Sequence, residues 1–145
     1  MIVKIKKLHA DVLLPQYSHP GDAGMDLYNM GEEVVLKPLA RGLIPTGLKV
    51  AVPAGYELQV RPRSGMALKK GLTVLNTPGT IDAGYRGEVG IIVFNASGDE
   101  AITIKKGDRI AQAVLKKFEV IEWQVVDELD ETSRNEGGFG STGHK

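Results

Sequence analysis

Glycine and proline cut this chain into pieces too short for ordinary helices. Thirteen of its 18 glycines and all 7 prolines fall in the first hundred residues, as in Pro38, Pro45-Thr-Gly47, Pro53-Ala-Gly55, Pro78-Gly79 and Ala83-Gly84. Proline lacks the N–H that a helix or central strand uses, and glycine supplies the backbone angles of tight turns. The segments between them are β-branched or apolar, and several alternate with a period of two. Leu48, Val50 and Val52 alternate with Lys49 and Ala51, and Tyr56, Leu58 and Val60 alternate with Glu57 and Gln59. That period belongs to half-buried strands. Short strands with frequent turns predict an all-β fold, a sandwich or jelly roll.

Val3 and Ile5 against Lys4 and Lys6 predict an opening strand. Further strands are expected at Val34–Leu36, Leu43–Ile44, Leu48–Val52, Tyr56–Val60, Leu72–Leu75, Val89–Phe94, Ala101–Ile104, Arg109–Leu115 and Val120–Val126. Hairpins are expected at Pro53-Ala-Gly55, at Ala83-Gly84 with arms beginning at Asp82 and Tyr85, and at Lys105-Lys-Gly-Asp108. On the last of these, Ile110, Gln112 and Val114 share a face, so Gln112 is either hydrogen-bonded in the core or lines a pocket. One helix is predicted over Met66–Lys70, with Ser64 as its N-cap and Gly71 as its stop. Its N-terminal N–H groups, with Arg63 adjacent, make an anion site; the competing reading is that Ser64 only caps its helix.

At 145 residues the chain is long enough for one domain with a core. The formal net charge is +0, so no global field draws it to nucleic acid or membrane. Without cysteine there are no disulfides and no thiolate metal site, and His9, His19 and His144 lack ligand-like spacing. No apolar run reaches the length of a membrane span and the N-terminus has no signal-peptide core, so a soluble, cytoplasmic protein is expected. Residues 1–126 form the expected β domain. Residues 127–145, acidic and then glycine-rich, form an arm expected to be mobile. Its Gly138-Phe-Gly-Ser-Thr-Gly143 string imitates a dinucleotide fingerprint, but no helix or βαβ unit can follow it. Arg134, Ser141, Thr142, the glycine N–H groups and Phe139 could instead wrap phosphates and lay a ring on a base.

The candidate acid is Asp82, beside the Ala83-Gly84 turn and across it from Tyr85. An aspartate there commonly bonds the local backbone. An acid and an aromatic ring at the mouth of a β-arm also suit a planar ligand that is stacked and attacked. Asp26, between Met25 and Leu27, either sits on a solvated face or pairs with a nearby arginine, the alternative being a direct functional role.

Five segments together, Ala23-Gly-Met-Asp-Leu-Tyr28, Arg61-Pro-Arg-Ser-Gly65, Asn76 to Gly87, Gly107-Asp-Arg-Ile-Ala-Gln112 and Arg134 to Gly143, resemble the trimeric deoxyuridine triphosphatases (dUTPases) in content and order. The resemblance spans nearly the whole chain. One departure is Asn135, where the family usually has glycine. The resemblance implies a distorted jelly roll in a homotrimer with three shared sites, each built from three chains. It implies hydrolysis of dUTP to dUMP and pyrophosphate by water attack on the α-phosphorus, which limits uracil in DNA and supplies dUMP for thymidylate synthesis. Asp82 would orient and deprotonate that water. Arg63, Ser64, Gly65 and Gln112 would contact phosphates, with Arg134, Gly140, Ser141 and Thr142 closing over them, Phe139 on the base and Asp26 in support. Asn76 and the main chain near Thr80, Ile81 and Gly90 would pair with uracil, and Tyr85 would pack under the deoxyribose and exclude a ribose hydroxyl. Mg²⁺ would be held mainly by phosphate oxygens and waters. Two alternatives accompany this: a dCTP deaminase or bifunctional enzyme of the same fold, for which no extra acid is evident in the hairpin, and a non-catalytic nucleotide-sensing β-module.

Overall fold

The computed structural model describes residues 1–138 and Ser141. They form eleven strands and one helix. The strands are β1 (Lys4–Lys7), β2 (Met25–Tyr28), β3 (Val34–Leu36), β4 (Arg41–Pro45), β5 (Leu48–Ala51) and β6 (Tyr56–Arg61). The helix α1 (Ser64–Lys70) follows, then β7 (Leu72–Val74), β8 (Gly79–Ile81), β9 (Gly90–Asn95), β10 (Ile102–Ile104) and β11 (Arg109–Lys117). The all-β jelly-roll architecture read from the sequence is the observed one.

Strand pairing is where local reading and fold part. The sheets run β2-β11-β6-β8, β4-β9-β7, β1-β5 and β3-β10. All three predicted turns close: Tyr56 N–H donates to Pro53 O at 3.1 Å, Tyr85 N–H to Asp82 O at 3.1 Å and Asp108 N–H to Lys105 O at 3.1 Å. None of them makes a hairpin ladder, because the strands flanking each turn enter different sheets. Short strands gain more by covering a common apolar core from opposite faces than by pairing with their neighbours in sequence. Gly84 also does without a left-handed φ, unlike Gly55 at +79° and Gly107 at +85°.

The core between the layers holds Leu27, Ile44, Leu72, Ile91, Val93 and Ile104, all essentially buried. Three polar side chains are buried with it, and each closes a connection. Asn95 Nδ2 donates to the carbonyls of Leu36, Lys37 and Glu100 at 3.0, 3.2 and 2.8 Å. Asn29 Nδ2 donates to Glu32 O at 3.0 Å, and Thr46 Oγ1 to Val89 O at 2.6 Å. Loop carbonyls that the ladders cannot reach are thereby satisfied.

Two expectations fail at the chain ends. β1 is exposed along its whole length rather than half-buried, paired only with β5. Val120–Val126 forms no strand: Val120, Ile121, Trp123 and Val125 are exposed, Trp123 at 84%. A β-pattern becomes a strand only beside a partner, and no described residue pairs with this segment. No helix among the described residues is long and apolar enough to cross a membrane.

Candidate active site

The segment Ile81–Gly90 builds a recess of about 180 Å³ lined by Thr80, Ile81, Asp82, Tyr85, Glu88, Val89 and Gly90. A smaller hollow of about 60 Å³ shares Thr80, Ile81 and Gly90 and adds Asn76. β8 is the edge strand of its sheet, so its outer backbone groups have no ladder partner. On β9 the pairing with β7 runs only from Asn95 to Val93, leaving Gly90 beyond it. Free main-chain donors and acceptors therefore stand where a planar ring could pair as another strand would.

Asp82 is exposed at the mouth of this recess. Its backbone carbonyl closes the turn, while its carboxylate makes no hydrogen bond among the described residues. The turn is braced by other groups: Arg86 Nη1 donates to Ala83 O at 2.6 Å and to Tyr85 O at 2.8 Å. The Asp82 side chain therefore takes no part in the turn's hydrogen bonds, and its oxygens are available to a water. Tyr85 lies along the next stretch, its hydroxyl donating to Glu88 O at 3.0 Å. A Cβ on Gly87 would collide with the Tyr85 hydroxyl and ring, so the ring keeps this pose because residue 87 is glycine.

Glu88 and Val89 belong to the recess, though the sequence reading gives neither a place in the site. Gly47 N–H donates to Glu88 Oε1 at 2.8 Å, Val89 N–H to Leu48 O at 2.8 Å, and Thr46 Oγ1 to Val89 O. The recess wall is thus stitched to the β4–β5 turn, 41 residues earlier in the chain. No local signal announces such a tie.

A second cluster gathers at the Arg61 end of β6. Gln112 lies opposite both Asp26 on β2 and Arg61 on β6. Asp26, its side chain 13% exposed, receives Arg63 Nε on Oδ1 at 2.8 Å and Arg109 Nη1 on Oδ2 at 3.3 Å. The expectation that it pairs with an arginine holds, with two. Gln112 Nε2 donates to Pro62 O at 2.9 Å. The register of β11 shifts between Arg109 and Ala111. This corrects the simple alternation expected there: Ile110 and Ala111 are both buried, while Arg109 and Gln112 come to the face of Asp26. An inserted residue re-aims side chains in this way.

Ser64 is also corrected. It is the first residue of α1, the N-cap is Arg63, and no side chain caps the helix. The first helical N–H groups with acceptors are those of Met66 and Ala67, both on Arg63 O. The Ser64 and Gly65 N–H groups precede them, and the Ser64 hydroxyl is not spent on its own helix. Gly71 ends the helix as expected, at φ +68°.

One chain does not bring the two clusters together. Ile81 lies opposite Leu58, whereas Arg63 follows the other end of β6, so roughly 15 Å of strand at ~3.3 Å per residue separates them. In the arm, Arg134 Nε donates to Gly137 O at 2.7 Å, and Ser141 is exposed. Asn135 takes φ +39°, and its Oδ1 accepts the Thr132 N–H at 2.6 Å. Asparagine tolerates that region better than other side chains, so the departure from glycine keeps a glycine-like backbone. Phe139, Gly140 and Thr142 lie outside the described residues.

Comparison with known proteins gives the family of the chain. The dUTPase family model matches residues 10–143. The chain is 56% identical over 142 residues to the deoxyuridine 5'-triphosphate nucleotidohydrolase of Syntrophotalea carbinolica, covering 97% of this chain and 96% of that one. It is 56% identical over 143 residues to the protein of the same name from Fusobacterium nucleatum, covering 97% of each. Among solved structures, the dUTPase of Staphylococcus bacteriophage 80alpha with dUpNHpp superposes with a TM-score of 0.86 at 32% identity, over 98% of both chains. A mutant dUTPase from phage phi11 of S. aureus, solved with a structural Mg(II) ion, superposes at 0.79 with 28% identity, over 90% of this chain and 100% of that one.

Proposed function

This chain belongs to the dUTPase family, and we infer from that membership and from the site's geometry that it hydrolyses dUTP to dUMP and pyrophosphate by water attack on the α-phosphorus. The observation that carries the chemistry is Asp82, an exposed carboxylate beside a base-sized recess with no hydrogen bond of its own among the described residues. A water held there is oriented and can lose its proton to the carboxylate as the P–O bond forms. The rest of the catalysis is positioning and charge neutralisation by Arg63, the Ser64 hydroxyl, the Ser64 and Gly65 N–H groups and the Gln112 amide.

The base reads against main chain at Thr80, Ile81 and Gly90, with Asn76 beside them. A site built to hydrogen-bond uracil leaves its own polar groups unpaired against cytosine, which penalises the wrong base strongly. Tyr85 sits where the sugar would lie and leaves no room for a ribose hydroxyl.

The separation of the two clusters supports a site completed by other copies, in a homotrimer with shared sites. The exposed Val120, Ile121, Trp123 and Val125 support assembly too, since a single copy leaves them bare. Residues 127–145 then act as an arm that closes over a site of the trimer. Ordering about ten residues costs roughly 1–2 kcal/mol each, so closure needs a highly charged ligand to offset it. Cytoplasmic action, where dUTP arises beside DNA synthesis, fits this role.

Mg²⁺ suits the phosphate end if the substrate supplies its ligands. Among the described residues no group of three or more His, Asp or Glu side chains could hold a metal ion, and both oxygens of Asp26 already face arginines. Mg²⁺ favours phosphate oxygens and retains its waters, and it would neutralise part of the triphosphate charge.

Pyrophosphate release from each deoxynucleoside triphosphate tests the assignment, with dUTP alone expected to react. Release of ammonia from dCTP would point to a deaminase instead. The acid nearest that role, Glu88, is already bonded to the Gly47 N–H. Binding of dUTP without turnover would point to a sensor.

A further inference from the structure

Arg109 has no role in the chemistry derived so far, yet the fold takes trouble to place it. The register shift at Ile110 puts Arg109 on the same face as Gln112, although an unbroken strand would point residues three apart to opposite faces. It arrives beside Asp26, which already has a cation at 2.8 Å in Arg63. One carboxylate thus faces two guanidinium groups, and the cluster keeps a surplus positive charge.

The exposures rank outward. Asp26 is 13% exposed, Arg63 28% and Arg109 54%, so the acid forms the floor and the cations the surface. Neither guanidinium is used up. Arg63 commits Nε to Asp26 and Nη1 to Arg109 O at 3.2 Å. Arg109 commits one Nη1 at 3.3 Å. A guanidinium has five N–H donors in a planar fork that matches a phosphate, so most of Arg109's capacity has no acceptor among the described residues. A pair that served only the fold would be satisfied by one arginine.

We propose that Arg109 is a second phosphate-binding cation of the site, and that Asp26 is a positioning residue that holds its guanidinium beside that of Arg63. This rests on the reading of the Arg63–Gln112 end as the phosphate end. The substrate class it adds specificity for is the polyphosphate: the nucleoside is gripped by the recess, and the two guanidinium groups together discriminate for a highly charged chain.

The test compares Arg109→Gln, Arg109→Lys and Asp26→Asn with the parent protein. Two affinities are measured, for the non-hydrolysable imido analogue of dUTP with Mg²⁺ and for deoxyuridine as a competitive inhibitor. Arg109→Gln is expected to weaken the analogue about tenfold, the scale of one charge-assisted hydrogen bond, and to leave deoxyuridine unchanged. Its analogue binding should also depend less on salt. Arg109→Lys, which keeps the charge, should recover part of the loss. In the double variant Asp26→Asn/Arg109→Gln the two losses should combine to less than their product, since the part of the Asp26 effect that runs through Arg109 is already gone and only the part through Arg63 remains. Unchanged analogue affinity in Arg109→Gln, or an equal loss of deoxyuridine, overturns the proposal. Failure of the parent itself to bind the analogue would instead overturn the assignment of the site.

Discussion

Gly24 leaves the space in which the Gln112 amide lies: a Cβ at position 24 would collide with Gln112 Oε1 and come within 3.1 Å of its Cδ. Gly24 lies just before β2 and Gln112 within β11, the strand that pairs with β2. The atoms in the way belong to the end of a flexible side chain, so a methyl group would move the amide rather than the backbone. Gly24→Ala should therefore keep its Tm within a few degrees and lower kcat/KM for dUTP by roughly 10–100-fold, the worth of a hydrogen bond to a charged group. Thermal melting and steady-state kinetics on the same preparation check it. A large loss of Tm with unchanged kinetics would contradict it.

Gly87 performs the same service for Tyr85. With Gly87→Ala the tyrosine ring must leave its place over the backbone, and its hydroxyl loses Glu88 O. The ratio of kcat/KM for dUTP over UTP should fall, because the ring is what crowds the sugar's 2' position. Competition between the two nucleotides measures this directly.

Asp82→Asn removes the proposed base while keeping the side chain's size. A fall of about 10²–10⁴-fold in kcat with little change in KM is expected, since the carboxylate acts on water rather than on binding. Equal turnover by the variant and its parent would remove Asp82 from the mechanism.

The distance between Asp82 and Arg63 along β6 predicts complementation between inactive chains. When Asp82→Asn and Arg63→Ala proteins are unfolded together at equal amounts and refolded, about a quarter of sites in a random trimer receive an intact residue of each kind. Activity should return toward that fraction. If the mixture stays as inactive as its components, each site is built within one chain.

Thr46 tests the stitching of the recess wall. It is 1% exposed, and its hydroxyl donates to Val89 O at 2.6 Å. Thr46→Val keeps the shape and the Thr46 N–H bond to Val89 O at 3.3 Å, but removes the hydroxyl that also accepts the Leu48 N–H at 3.3 Å, and should cost about 1–2 kcal/mol. At roughly 2–4 °C per kcal/mol for a domain of this size, differential scanning calorimetry resolves the change. The KM for dUTP should rise with it, since Val89 lines the recess.

Much of the candidate site was legible before the fold. Asp82, Arg63, Ser64 and Gln112 stand out because a polar group at a turn or on an apolar stripe needs a reason to be there. Arg109, Glu88 and Gly24 were not legible. Arg109 changes face only through a register shift, Glu88 bonds a turn far back in the chain, and Gly24 matters only through the side chain that crosses it. None of these leaves a mark on its neighbours in sequence.

Short-range forces acting through adjacent residues decided where this chain turns, where its strands can begin and where α1 runs from Ser64 to the left-handed Gly71. φ restrictions, missing N–H groups and the alternation of apolar side chains all operate within a few residues, so the amino-acid order alone determined them. Pairing was decided elsewhere. That β6 lies between β11 and β8 rather than against β5, and that Val120–Val126 forms no strand, depended on burying one core between sheets. Burial is a property of the folded whole, and its free energy rewards contacts between residues that the chain order keeps far apart.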